Sequence, residues 1–176
     1  SIVAPLGAAG LGVHLKDIFS SIGDMLIFGL GSLGIPPGAL RFEDGQGRGR
    51  AGHRSSACFA ALHFGEITAN GKKLVGSAQR RTQHAFLQHG SILLDEDFDL
   101  FTRMCRYQTE GDRLLELERL RNGSTTLSEL AGVPVDFDAV IKALIRGFQI
   151  KLNGNLEAGS LSPHECELRD AFLDGS

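Results

Sequence analysis

The stretch CFAALHFGEITANGKKLVGSAQRR, residues 58–81, decides how this chain folds. Asn70-Gly71 near its centre is a strong hairpin signal, because both central positions of the favoured two-residue turn need positive φ. Strands are therefore expected on either side, over residues 66–69 and 73–80. Simple alternation along the second strand puts Lys73, Val75 and Ser77 on one face, with Leu74 and Gly76 on the other. Cys58 precedes Lys73 by fifteen residues, and the hairpin can bring the two together. An ammonium beside a thiol stabilises its thiolate, so acyl transfer is the chemistry this pairing suggests.

Outward from the hairpin, the rest of the domain follows by pattern. Ile2 to Leu6 reads as a strand, and apolar residues then recur at Leu11, Leu15, Ile18, Ile22, Met25 and Leu33 with helical spacing. Gly34 and Pro36-Pro37 stop that helix. Gly23, Gly29 and Gly31 weaken it, so packing against a sheet must hold it. Leu40 to Phe42 is a short strand, and the run from Asp44 to Arg54 is a glycine-rich basic loop. A further strand is expected from Gly90 to Leu94, reached through Ala85 to His89. Helices are expected over 97–105, over 112–120 as a charged and exposed element, and over 136–148. The last has Asp136 as N-cap and Phe137, Val140, Ile141, Leu144, Ile145 and Phe148 on its apolar face. Ser162-Pro163-His164-Glu165 is a capping box with proline at the first helical position. The whole reads as one domain over 1–176, α/β or α+β, a mixed sheet flanked by helices, with a helical part from about 97–176.

Composition narrows the function classes. A net charge of −3 argues against general nucleic-acid binding. The longest apolar stretch, Leu11 to Leu33, is broken by His14, Lys16, Asp17 and Asp24 and reads as a buried amphipathic helix, not a membrane span. No signal peptide is visible in it. Cys58, Cys105 and Cys166 are odd in number and lack metal-ligand spacing, so neither a disulfide framework nor a metal site is expected. A reducing, cytoplasmic setting follows. The chain opens at Ser1, without Met, in what reads as a strand already under way, so an N-terminal truncation is expected.

Among the residues able to do chemistry, Cys58 and Lys73 lead. A cysteine is most often a small buried hydrophobe, but Cys58 follows Arg54-Ser55-Ser56 at a loop edge, where a thiol is reachable. A hairpin lysine is usually solvated, yet Lys73 is bordered by Gly76, Ser77 and Ala78, small residues that admit a substrate close to the backbone. His63 and His89 are weaker candidates for proton carriers. Arg48, Arg50, Arg54, Arg80 and Arg81 suit contact with a phosphate or an acidic protein, or simply a solvated turn.

GKKLVGSAQRR (residues 71–81), followed by LQHGSILLD (residues 87–95), resembles the lipoate–protein ligase, octanoyltransferase and biotin ligase superfamily. The resemblance implies a biotin/lipoate ligase-like catalytic domain, incomplete at its N-terminus. It also implies that Lys73 contacts the acyl carbonyl or acyl-adenylate and that Gly76, Ser77 and Ala78 line the substrate. ATP-using ligases of this superfamily carry an Arg-Asn-Asp step where this chain has Phe64-Gly65-Glu66. The CFAA segment at Cys58 resembles instead the cysteine-dependent octanoyltransferases of Gram-positive type, in which the lysine fifteen residues on lowers the pKa of the acyl-accepting cysteine.

The resemblance implies a ping-pong reaction with no cofactor. The Cys58 thiolate takes an octanoyl group from acyl carrier protein, and a lysine of a lipoyl domain or of the glycine cleavage H protein then takes it as an amide. Lys73 would stabilise thiolate and oxyanion, with backbone N–H groups near Gly76 and Ser77 assisting. The related amidotransferases share the cysteine. An ATP- and Mg-dependent lipoate ligase and a noncatalytic lipoyl-domain-binding remnant are the alternatives. Neither a nucleic-acid nor a membrane partner is implied. Family members also carry an upstream segment, rich in arginine and glycine, with a histidine lining the acyl tunnel.

Overall fold

Asn70 and Gly71 adopt φ of 53° and 77° in the computed structural model, so the expected hairpin forms. It joins β3 (Ile67–Ala69) to β4 (Lys72–Arg81). The structure describes residues 1–8, 10–36, 38–44 and 64–174. Before the hairpin come β1 (Ile2–Pro5), α1 (Leu15–Gly31) and β2 (Leu40–Phe42). After it come β5 (Ala85–Ile92), α2 (Phe98–Met104), α3 (Glu110–Gly123), α4 (Leu127–Ala131), α5 (Phe137–Leu152) and α6 (Pro163–Asp174). The sheet runs β1-β5-β4-β3-β2. Every pairing between these strands is antiparallel, and a parallel bridge joins Lys73 to Ser124.

β5 begins five residues ahead of the expected Gly90. Its first half alternates, with Phe86 and Gln88 buried and Leu87 and His89 exposed, which is the signature of a strand with one covered face. The covered face meets α1. Ile18, Ile22 and Met25 of α1 pack with Phe86 in one cluster, while Leu30 packs with Leu40, Ile67, Ala69, Leu74, Val75, Leu127 and Val140 in another. Around Asp136, the helix cap is as expected: its carboxylate accepts from the N–H groups of Asp138 and Ala139.

Two expectations about helix faces are corrected. The buried residues of α5 are Val140, Ala143 and Gly147, whereas Phe137, placed on the apolar face, is 64% exposed, and Ile141 and Ile145 are exposed as well. The reason is a close backbone crossing of α1 and α5. A Cβ added at Gly147 would fall 2.4 Å from the Met25 carbonyl oxygen, and one at Gly29 would fall 2.5 Å from the Ala143 carbonyl oxygen. Small residues, not large apolar ones, mark that seam. α3 likewise does more than face solvent, since it buries Glu116, Leu117 and Leu120.

The α1–α5 crossing yields a first expected outcome. Gly147→Ala gains about 1 kcal/mol of helix propensity but drives its methyl into backbone, which cannot rotate away. A net loss of about 1–3 kcal/mol is expected, read as a melting temperature lower by roughly 2–12 °C.

Arg113 clamps α2 to α3. Its guanidinium donates to Asp99 Oδ1 at 2.9 Å, to Thr102 Oγ1 at 3.1 Å and to Glu110 Oε1 at 2.7 Å. Those bonds hold the Asp99 and Glu110 carboxyls below their ordinary range. Groups with depressed folded values stabilise the fold above their unfolded values and lose that contribution as pH falls through the folded ones. Amide exchange is therefore expected to show α2 and α3 losing protection as pH drops below about 4, with Arg113→Leu removing that dependence.

Candidate active site

β3 and β4 do not pair in regular register. Thr68 faces Lys73 but Ile67 faces Val75, so Leu74 is an extra residue, a β-bulge. The bulge reverses the expected alternation. Val75 lies on the covered face with Ile67 and Ala69 in the core, while Lys73 lies opposite Thr68 on the other face. Lys73 and Val75, two residues apart, therefore point to opposite sides of the sheet.

Beyond the bulge, alternation resumes. Ser77 takes the covered face: its Oγ donates to the Gly65 carbonyl at 3.1 Å and lies 3.4 Å from Gln88 Nε2. Gly76 and Ala78 take the Lys73 face, opposite Ser91 and His89 of β5. Lys73 is thus brought to one face with Gly76 and Ala78, and Ser77 is separated from them. Cys58 and His63 lie outside the described residues. The arginines at 48, 50 and 54 do so too. His89 is exposed, its Nδ1 2.8 Å from Ser1 Oγ.

Lys73 is 3% exposed despite its place in a hairpin. Its Nζ lies 2.5 Å from Glu66 Oε1, and Glu66 is also 3% exposed. Two charges taken this far out of water hold their charge only with close counter-charges and hydrogen bonds, because desolvation costs several kcal/mol per ion. The backbone fixes both partners. The Glu66 carbonyl accepts from Glu43 N–H at 2.9 Å, and Gly65 N–H donates to the Glu43 carbonyl at 2.9 Å. The Lys73 carbonyl accepts from Thr125 N–H at 2.9 Å. Thr68, between them, is buried and donates its hydroxyl to Glu43 Oε1 at 2.8 Å.

Sequence reasoning did not single out Glu66. The signal was present, since an acid and a base seven residues apart and straddling a two-residue turn fall on one face of a hairpin. Nor did it find the buried run Ser124-Thr125-Thr126, whose meeting with β4 depends on where α3 ends. Among the described residues no cluster of His, Cys, Asp or Glu could hold a metal ion, and no helix is long and apolar enough to cross a membrane.

What this arrangement offers is a buried ammonium, held by a carboxylate, on the sheet face that also carries backbone positions with minimal side chains. Such a cation can stabilise a thiolate or an oxyanion developing next to it.

Comparison with known proteins bears on which reaction that is. The lipoyl protein ligase A/B catalytic domain family matches residues 2–149. The chain is 34% identical over 174 residues to octanoyltransferase LipM of Kyrpidia tusciae, covering 98% of this chain and 63% of that protein. It is 39% identical over 114 residues to octanoyltransferase LipM of Bacillus subtilis, covering 65% of this chain and 41% of that one. The chain thus spans less than two thirds of the length of the relatives it matches. In fold it is similar to lipoate-protein ligase A bound with ATP, with a TM-score of 0.67 at 19% identity over 98% of this chain and 58% of that one. It is also similar to a bipartite archaeal lipoate protein ligase from Thermoplasma acidophilum, whose structural study includes its E2 lipoyl domain, with a TM-score of 0.69 at 20% identity over 98% and 57% of the two chains.

Proposed function

The chain belongs to the lipoyl protein ligase A/B catalytic domain family, and we propose that it serves as an acyltransferase of lipoate metabolism, carrying an octanoyl group on Cys58. The observation that carries this reading is the burial of Lys73, a hairpin lysine withdrawn from water on the face that holds Gly76 and Ala78. The likeness to octanoyltransferases, over nearly the whole chain in one relative, supports the choice of acyl group.

In the first half-reaction the Cys58 thiolate attacks the carbonyl of an octanoyl thioester on acyl carrier protein. The new carbon–sulfur bond forms to give a tetrahedral oxyanion, its collapse breaks the old carbon–sulfur bond, and the carrier thiolate leaves and takes up a proton. In the second, the neutral amine of a lysine on a lipoyl domain, or on the glycine cleavage H protein, attacks the acyl-enzyme. The amide forms, the amine's extra proton is lost, and the Cys58 thiolate is released. Lys73 contributes positive charge at both tetrahedral stages, when a carbonyl oxygen becomes an oxyanion.

Gly76 and Ala78 let the acyl chain lie close along β4. Ser77 supports them from behind through its bond to Gly65. No ATP, Mg or other cofactor enters this scheme, and a cytoplasmic setting suits it.

Intact-mass measurement tests the proposal. Incubation with octanoyl-acyl carrier protein, without ATP, is expected to add one octanoyl group, and a lipoyl domain is expected to discharge it. Labelling that appears only with ATP and free lipoate would make the chain a ligase instead.

A further inference from the structure

The transfer scheme above uses Cys58 and Lys73 and leaves Glu66 without a task, although Glu66 is one of two buried glutamates among the described residues, Glu116 being the other. Resting on that scheme, we infer that Glu66 is a positioning residue for the reaction: it holds the Lys73 ammonium charged and in one place on the face that carries Gly76 and Ala78.

Lysine is poorly suited to a fixed electrostatic role when left to itself. Its stem has four rotatable bonds, and a buried ammonium stripped of counter-charge gives up its proton to escape desolvation. The carboxylate 2.5 Å from Nζ answers both problems. It is itself held on a rigid frame, because the Glu66 carbonyl accepts from Glu43 N–H at the end of β2, and the neighbouring Gly65 N–H donates to the Glu43 carbonyl. Lys73 is tied at its own backbone to Thr125.

The bulge supplies the remaining element. Regular pairing would set Val75 opposite Glu66, whereas the observed shift, continued one residue beyond Ile67–Val75, sets Gly76 there and sends Val75 to the core. The acid–base pair therefore borders a position with no side chain.

Other charged groups near the hairpin and in α3 have partners of their own. Glu43 takes the Thr68 hydroxyl, Lys72, opposite Ala69 on the other face, lies 3.8 Å from Glu129, and the buried Glu116 of α3 lies 3.5 Å from Arg119. His89 is paired with Ser1 at the exposed side of the sheet.

The test reads the ionisation of the Cys58 thiol through its rate of alkylation by iodoacetamide against pH. It is run on the chain with Cys105→Ser and Cys166→Ser, so that a single thiol reports. Alongside, octanoyl loading from octanoyl-acyl carrier protein is followed by mass. With Glu66 intact, the alkylation midpoint is expected below the ordinary thiol value of about 8.5. Glu66→Gln is expected to raise it by a unit or more and so cut alkylation at pH 7 by about tenfold. Glu66→Asp, the milder variant if the amide destabilises the fold, is expected to move it in the same direction by less.

A midpoint that stays put or falls in both variants, with octanoyl loading intact in the parent, overturns the role of Glu66 and leaves the transferase reading standing. A parent with an ordinary midpoint and no octanoyl adduct overturns both. A fall in melting temperature without movement of the midpoint marks a structural ion pair and counts against the inference.

Discussion

Cys58→Ala is expected to abolish octanoyl transfer, with a loss of at least ~10⁴-fold in rate. A thioester passed directly from carrier to amine needs both protein partners at one site, whereas a cysteine intermediate separates the two encounters. Alanine removes the sulfur that would bear the acyl group in between, and a hydroxyl does not match a thiolate as nucleophile at neutral pH. Cys105 is exposed at the end of α2 and Cys166 is half-buried in α6, so both can pick up acyl groups adventitiously. Peptide mapping of the adduct separates that background from turnover. Equal loading of a lipoyl domain by Cys58→Ala and the parent would remove Cys58 from the mechanism.

Lys73→Met should be the most damaging single change within the described sheet, because it acts on stability and on catalysis together. Methionine matches the length of the lysine stem but brings no charge, so the Glu66 carboxylate, 3% exposed, loses the ammonium 2.5 Å away. Breaking a buried pair in this way costs about 3–5 kcal/mol, which lowers the melting temperature by roughly 6–20 °C. Transfer is expected to fall by about 10²–10³-fold, the usual effect of removing one preorganised charge from a developing oxyanion.

The two effects can be parted. Adding Glu66→Leu to Lys73→Met removes both charges, and much of the lost stability should return, since well-packed apolar replacements of buried ion pairs are often neutral. Activity should not return with it. Thermal unfolding and octanoyl loading, measured on all members of this cycle, read stability and chemistry separately. Recovery of activity together with stability would show Lys73 to be a packing residue.

Parts of this site were legible in the chain itself. Asn70-Gly71 dictates its turn by backbone sterics alone, and Asp136 caps α5 because a short carboxylate reaches the first free N–H groups. The recurrence of Ile18, Ile22 and Met25 placed α1 on the sheet, where they lie. Of the three glycines of α1 expected to need tertiary support, Gly23 abuts the Phe42 ring of the sheet and Gly29 abuts the α5 backbone, whereas Gly31 faces open space.

Other parts were not legible, for physical reasons. A β-bulge adds one residue without any compositional mark, so the run from Lys73 to Ser77 read as simple alternation. The inner stripe of α5 consists of Val140, Ala143 and Gly147, whose smallness matters only once a second backbone arrives. Hydropathy favoured Phe137, Ile141 and Ile145 instead, all three exposed. Glu66 marks a departure from the ligase pattern, but its burial beside Lys73 needs the neighbouring elements to exclude water.

By itself, then, the sequence determined the hairpin, the family and the pairing of a thiol with a lysine as the chemistry to look for. These rest on local sterics and on motif spacing, which survive any tertiary arrangement. Only the tertiary structure decided that Lys73 is buried, that Glu66 holds it, and that Gly76 and Ala78 share its face while Ser77 does not. Burial and facing depend on one inserted residue and on what packs across the sheet, and neither is written in the order of residues along one strand.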